Sequence, residues 1–297
     1  MSSRIQKTLN IIGCGRVGRT LGSLWHAQHA FVVQDVLDGT PHGARSAVAF
    51  IGDGHAVGWL EKMRPADVWM LTPPDARIVH CCEQLAQSGL LRRGDIVFHC
   101  SGALPSGDLA AAAAAGAGVA SVHPLKSFAD PHQAALTFTG TWCAVEGDRE
   151  ALDVLQPAFE RIGARLSAID PQFKTIYHAA SVIVCNYLTA LLETGLRAYE
   201  KSGLTRETAL AMMEPLVRET VDNVFSLGTV KALTGPIARG DHAVVARQLE
   251  ALSAWDAHAG EIYKVLGAVA LQLVRAQGEA DAGALAQLER LLENKQK

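Results

Sequence analysis

The segment Gly13-Cys14-Gly15-Arg16-Val17-Gly18 constrains this chain more than any other. An apolar run, Leu9 to Ile12, precedes it, and a helix-forming run, Arg19 to Ala27, follows it. The glycines have separate physical uses. The first permits a tight turn, the second lets the backbone approach a pyrophosphate, and the third lets helix and strand pack closely. The helix N-terminus adds unpaired N–H groups and partial positive charge, which suit phosphate. A second strand, Phe31 to Val36, with an acid, Asp38, beyond its end, supplies the βαβ context that such a turn needs to hold a dinucleotide. Gly13, Cys14, Gly15, Arg16, Val17, Gly18 and Asp38 are therefore expected to bind a cofactor, Cys14 being small enough not to crowd it.

The first half of the chain keeps alternating in this way. Asp67 to Leu71 reads as a strand stopped by Thr72-Pro73-Pro74-Asp75, and Asp95 to Cys100 as another stopped by Ser101-Gly102. An Ala-rich helix leads to Val119–Val122 and His123-Pro124, and Thr141–Glu146 and Arg165–Ala168 flank a further helix. Alternation of this kind predicts a mostly parallel, doubly wound sheet covered by helices, with ligands at the carboxyl ends of its strands. The pattern changes at Asp170-Pro171, a good N-cap followed by a good first helical residue. Helical periodicity then runs to Lys201, about 45 Å at 1.5 Å per residue. Further helices are expected at about 205–226, 241–252, 256–276 and 282–294, with an irregular stretch at 227–240. The expected organisation is an α/β dinucleotide-binding domain at 1–168 and an all-helical domain at 169–297 for substrate and dimerisation.

Composition excludes several classes. A chain of 297 residues can bury a sizeable core, and its net charge of −3 leaves no basic stripe for nucleic acid. No uninterrupted apolar stretch reads as a bilayer span, and no secretory signal precedes the first strand. The six cysteines form no CxxC pair and no metal-ligand spacing, so they read as reduced, mostly buried thiols, and no metal is expected. A cytoplasmic protein with a small-molecule substrate, and no nucleic-acid or membrane partner, is the expectation.

Lys174 and His178 share one face of the long helix, in its first two turns. Burial there pushes a lysine toward its neutral form, and the helix dipole favours an anionic ligand. The alternative is a solvated lysine beside a core histidine. Asn186 falls about 12 Å beyond His178 and about 80° around the axis, which suits a core hydrogen bond better than catalysis. Ser101 and Gly102 offer a hydroxyl and a backbone N–H where the nicotinamide half of a dinucleotide would lie, near Thr72 and Pro73. Pro124 holds His123 extended and fixes its direction. Arg239 can grip a carboxylate or phosphate at two points, and Asp241 can cap the next helix.

The motifs GCGRVG at 13–18, SGAL at 101–104, SVHPLKSFAD at 121–130, KTIYHAASVIVCNYL at 174–188 and ALTGPIARGD at 232–241 together resemble a family of uncharacterised Rossmann-like NAD(P)-dependent oxidoreductases. Their helical half is of the 6-phosphogluconate-dehydrogenase C-terminal-like kind. The resemblance implies an oxidoreductase acting on a small anionic hydroxy, keto or imino acid, and a homodimer paired through its helical domains. In the more distant β-hydroxyacid dehydrogenases, a Ser-Gly follows the equivalent strand and a Lys and an Asn stand four residues apart on the first helix after the sheet. Ser101-Gly102 and Lys174 match, whereas His178 replaces the Asn. His123-Pro124 is similar to the His-Pro of prephenate dehydrogenases, and pyrroline-5-carboxylate reductases share the two-domain plan. The resemblance thus implies catalytic roles for Lys174, His178, His123 and Ser101, with Gly102 and Arg239 on the substrate. Asp38 favours NAD over NADP because a carboxylate accepts from ribose hydroxyls and repels a 2′-phosphate; Arg16 and Arg45 leave NADP open. The competing reading is a dinucleotide-binding sensor or regulatory protein without turnover, which needs the glycine turn but not Lys174 and His178.

Overall fold

Short apolar runs separated by turn residues become the strands of one sheet in the computed structural model, which describes residues 6–278 and 280–292. The strands are β1 (Thr8–Ile12), β2 (Val32–Leu37), β3 (His55–Val57), β4 (Val68–Leu71), β5 (Ile96–His99), β6 (Gly118–Pro124), β7 (Trp142–Gly147) and β8 (Arg165–Ala168). They lie in the order β3-β2-β1-β4-β5-β6-β7-β8. Neighbours are parallel except β6 and β7, which are antiparallel. The helices among them are α1 (Arg16–Ala27), α2 (Pro41–Ile51), α3 (Asp75–Gln87), α4 (Ala110–Ala114), α5 (Pro131–Leu136) and α6 (Arg149–Arg161). Every residue of β4 and β5 is buried. Helices on both faces demand such apolar strands. On one face Trp25 meets Phe31, Phe98 and Phe159 edge-on, and its indole N–H donates to the Ala158 carbonyl at 3.0 Å. On the other, Trp69, Leu71, Ile78, Leu85 and Val97 form a second core.

Because β2 lies on one side of β1 and β4 on the other, the chain reverses direction across the sheet at β1. A crevice opens at such a switch point.

Asp170 caps the next helical run as its sequence predicts, its carboxylate accepting from the Gln172 N–H at 2.9 Å. The run holds a 3-10 turn (Pro171–Phe173), α7 (Lys174–Ser181), a π-helical segment (Val182–Tyr187) and α8 (Leu188–Lys201). The π segment breaks the 3.6-residue extrapolation from His178 to Asn186, and Asn186 is exposed rather than a core hydrogen-bonding group. The run also corrects the expectation of no bilayer-length stretch. Its 31 residues, with a mean hydropathy of 1.4 over 18 of them, are long and apolar enough to cross a membrane by length and composition. Isolated polar residues interrupt the apolar letters without lowering the average enough.

The sheet ends at Ala168, where the sequence places the domain boundary, but the first compact unit continues to Asn186 and the second begins at Tyr187. The difference arises because the start of the helical run is tied to the sheet by buried side chains described below. The helical unit contains α8, α9 (Arg206–Leu227), α10 (Thr229–Ala232), α11 (His242–Trp255), α12 (Ala257–Gln277) and α13 (Ala282–Leu292). Positions 293 and 294 of the expected last helix lie outside the described residues. Val245, Leu271, Leu288 and Leu292 form its core. Leu216, Phe225, Leu227 and Val265 are exposed on the single chain.

Candidate active site

The glycine turn has a distinct steric reason at each glycine. Gly13 adopts φ +80°, a left-handed backbone, and a Cβ there would overlap the Pro73 backbone. A Cβ on Gly18 would sit 2.6 Å from the Thr72 hydroxyl, which itself donates to the Gly13 carbonyl at 2.7 Å. A Cβ on Gly15 would meet nothing within 4 Å. The first and third glycines are thus closed by protein, and the second faces open space at the start of α1, where a pyrophosphate fits. Thr72 and Pro73, expected beside the nicotinamide, also brace this turn.

The turn opens on a crevice of about 750 Å³ lined by Gly13, Gly15, Asp38, Thr72, Pro73 and Arg77 among others. Asp38 follows the end of β2, its carboxylate lying against Gly43 at the start of α2. Arg16 and Arg45 are exposed and do not line the crevice, whereas Arg77 does. Val17 packs on the core, and Cys14 is buried. Burial pushes the Cys14 thiol up to about 12, which removes it as a nucleophile near neutral pH.

Ser101 follows β5 as expected, but its polar atoms are already committed within the protein. Its hydroxyl donates to Asp75 Oδ2 at 2.8 Å and accepts from the N–H groups of Ala103 and Leu104, each at 3.1 Å. Its N–H donates to His99 Nδ1 at 3.2 Å. His99 is fully buried, and burial, followed by the charge of Lys174, lowers its pKa to about 4. Neutral His99 therefore braces the loop.

Gly102 meets two imidazoles. A Cβ there would overlap His178 Nδ1 and lie 2.8 Å from His123 Cε1 and Nε2. The two rings sit 5.7 Å apart between centroids, close to perpendicular. His123 Nδ1 is 2.9 Å from the Tyr177 hydroxyl. Burial, then His178 and Lys174, lowers the His123 pKa to about 4, while burial raises the Tyr177 phenol to about 12. Both are neutral near pH 7, so an uncharged hydrogen bond joins phenol and imidazole. His178 Nδ1 is buried without a hydrogen-bond partner. A buried polar atom costs free energy until something pairs with it, so this nitrogen is open to a partner that the described residues do not supply.

Lys174 is not the solvated lysine that spacing alone permits. Its side chain is 1% exposed, and Nζ donates to Glu146 Oε1 at 2.9 Å and to the Ser121 hydroxyl. Glu146, 2% exposed, also accepts from the Ser106 N–H at 2.8 Å and the Ser106 hydroxyl at 2.6 Å. Burial lowers the Lys174 pKa and the Glu146 carboxylate opposes that shift. The cluster joins β6, β7, α7 and the turn after Ser101. The structure thus gathers His123, His178 and Gly102 at one point, with Lys174 behind them and Ser101 alongside. Arg239 is exposed in the helical unit, where Asp241 caps α11 by accepting from the Val244 N–H at 3.2 Å. Sequence reading missed Tyr177, although its three-residue spacing from Lys174 puts it on the same helix face. It also missed Glu146, a charge inside an otherwise apolar strand. Among the described residues no group of His, Cys, Asp and Glu converges as metal ligands.

Residues 2–124 match a Rossmann-like domain, and residues 141–270 match a domain of unknown function, DUF2520. No curated protein matches the sequence. Among solved structures, protein TM1727 of Thermotoga maritima is 24% identical, with a TM-score of 0.70 over 91% of this chain and 100% of that one. A Bacteroides fragilis protein provisionally named an NADP oxidoreductase is 19% identical, with a TM-score of 0.69 over 93% and 99%. A Myxococcus stipitatus imine reductase variant, solved with NAD+, is 16% identical, with a TM-score of 0.61 over 97% and 100%. At these identities the likeness shows the fold. This chain therefore joins a Rossmann-like domain to a DUF2520 domain, and it shares its fold with the structures just named.

Proposed function

We propose that the protein is an NAD(P)-dependent oxidoreductase acting on a small anionic hydroxy, keto or imino acid. One arrangement carries the reading: an open glycine cradle follows β1, and an unpartnered buried imidazole nitrogen of α7 lies against Gly102, beyond the carboxyl end of β5 in the same sheet. Gly13 to Gly18 would hold the pyrophosphate, with Asp38 accepting from the ribose hydroxyls and favouring NAD over NADP. The nicotinamide would lie by Thr72, Pro73 and the Ser101 loop, and when bound it supplies or accepts the hydride.

His123 and His178 would face the substrate beside Gly102. His178 Nδ1 would pair with the substrate oxygen or nitrogen. His123 would exchange a proton with it, backed by Tyr177. Lys174 enters as a fixed buried charge that adds to burial and His178 in keeping His123 neutral, since its ammonium is held by Glu146 and Ser121. Ser101 positions the loop through Asp75.

The reading includes pairing of two copies through the helical unit, supported by the exposure of Tyr187, Leu216, Phe225 and Leu227. Light scattering of the purified protein tests it. A reducing, cytoplasmic setting suits buried thiols such as Cys14, Cys82, Cys100 and Cys143.

The deciding experiment titrates the protein with NADH and NADPH, then screens keto and imino acids for loss of reduced-cofactor absorbance. Turnover that His123→Asn abolishes while cofactor binding survives supports the assignment. Failure to bind either cofactor overturns it. Binding without turnover across the panel leaves the sensor reading.

A further inference from the structure

The five tryptophans divide by environment. Trp25 and Trp69 are fully buried. Trp142 and Trp255 lie beneath the guanidinium groups of Arg165 and Arg197, at 5.8 and 5.5 Å from the ring centroids. Trp59 is 71% exposed, and among the described residues no ring or cation stacks on it. It lines the crevice that Gly13, Gly15 and Asp38 also line. An indole left in water on the wall of a cleft is a surface awaiting a flat apolar partner.

Its place in the fold says which partner. β1, β2 and β3 are successive neighbours, and each carries a different chemistry beyond its carboxyl end. The glycine turn follows β1 and suits phosphate. Asp38 follows β2 and suits ribose hydroxyls. Gly58 and Trp59 follow β3. Read outward, the order is phosphate, ribose and flat ring, which is the bonding order of an adenylyl group. Two strand spacings cover about 10 Å, the scale of a phosphorylated nucleoside. Resting on the crevice as the dinucleotide site, we propose that Trp59 stacks on the adenine ring and so sets affinity at the adenylyl end of the cofactor. Arg77 lines the same crevice, where its positive charge offsets those of Asp38 and Glu61.

The test uses the intact protein and its Trp59→Ala and Trp59→Phe variants, titrated calorimetrically with ADP-ribose and with NADH. Loss of base stacking weakens binding roughly ten- to a hundredfold. Trp59→Ala is expected to lose that much for both ligands, and Trp59→Phe to keep most of the affinity. ADP-ribose should quench tryptophan emission of the unmodified protein and quench Trp59→Phe much less. Trp59 is exposed, so unchanged unfolding midpoints should accompany both variants. If Trp59→Ala binds both ligands as the unmodified protein does, the stacking role falls and the dinucleotide site stands. If the unmodified protein binds neither ligand, both fall.

Discussion

Glu146→Gln removes one charge with almost no change of volume, at the centre of the buried cluster behind the candidate site. In the unmodified protein Lys174 Nζ lies 2.9 Å from Glu146 Oε1, and the two side chains are 1% and 2% exposed. Solvent screening therefore offers little relief, and the discount due a surface pair does not apply. Removing one partner of such a pair costs about 3–5 kcal/mol, chiefly because the remaining charge is buried without compensation. The amide keeps one oxygen for Lys174 and the Ser106 N–H, while its NH2 group turns to the Ser106 hydroxyl, which must reverse from donor to acceptor. The loss should depend on pH with a definite sign. A lysine whose folded pKa is lowered binds fewer protons folded than unfolded, so its penalty is full at low pH and fades as pH rises through the folded value. Without the carboxylate that opposes the shift, Lys174 titrates lower still, and the deficit of Glu146→Gln should shrink as pH rises toward the ordinary lysine range.

Urea unfolding followed by emission from the buried Trp25 and Trp69, which lie in the sheet unit, measures this. Lys174→Met in the Glu146→Gln background removes the stranded cation. The double variant should be less destabilised than the sum of the singles, with a coupling on the order of 1–3 kcal/mol. A Glu146→Gln protein within about 1 kcal/mol of the original would refute the assignment of a charged buried pair. Strict additivity in the double variant would do so as well.

Four further outcomes are expected. Gly13→Ala, strained at φ +80° and blocked by Pro73, should abolish cofactor binding in a calorimetric titration, whereas an exposed helix glycine changed likewise would not. Gly102→Ala should force His123 and His178 apart and cut turnover at least about tenfold while leaving NADH affinity unchanged; equal turnover would show that the imidazoles are not at the chemistry. The carbon resonance of His123 Cε1 should titrate near 4; because the unfolded chain binds that proton more readily, stability should fall as pH drops from about 6.5 toward 4. Asp38→Ser should raise NADPH affinity relative to NADH, and an unchanged ratio would remove Asp38 from cofactor choice.

The sheet and the cofactor turn were legible because they rest on local rules. Strand, glycine and helix signals at residues 9–27 are contiguous, and Asp170-Pro171 marks a helix start by its own capping chemistry. β3 was not legible, since three residues at a sheet edge show no alternation. The compact-unit boundary was not legible either, because it depends on where Lys174 is anchored rather than on where the strands stop.

The candidate site shows why residue types are easier to read than roles. Four-residue spacing puts Lys174 and His178 on one helix face, but it does not say what faces them. Lys174 meets a carboxylate 28 residues upstream, on a strand that is antiparallel to the one carrying His123. Glu146 did leave a trace, since Cys143, Ala144 and Val145 precede it in an apolar strand. A charge in a strand buried on both faces must find a counter-charge. That trace requires a cation but cannot identify it, and several lysines and arginines were available to the sequence. Only the fold brings α7 against β6 and β7 and makes Lys174 that cation. The same contact engages its ammonium with Glu146, and the imidazoles of His123 and His178 are what meet Gly102. A lysine's surroundings therefore depend on a counter-charge that its own segment does not contain, while the backbone shape of the glycine turn follows from its local sequence.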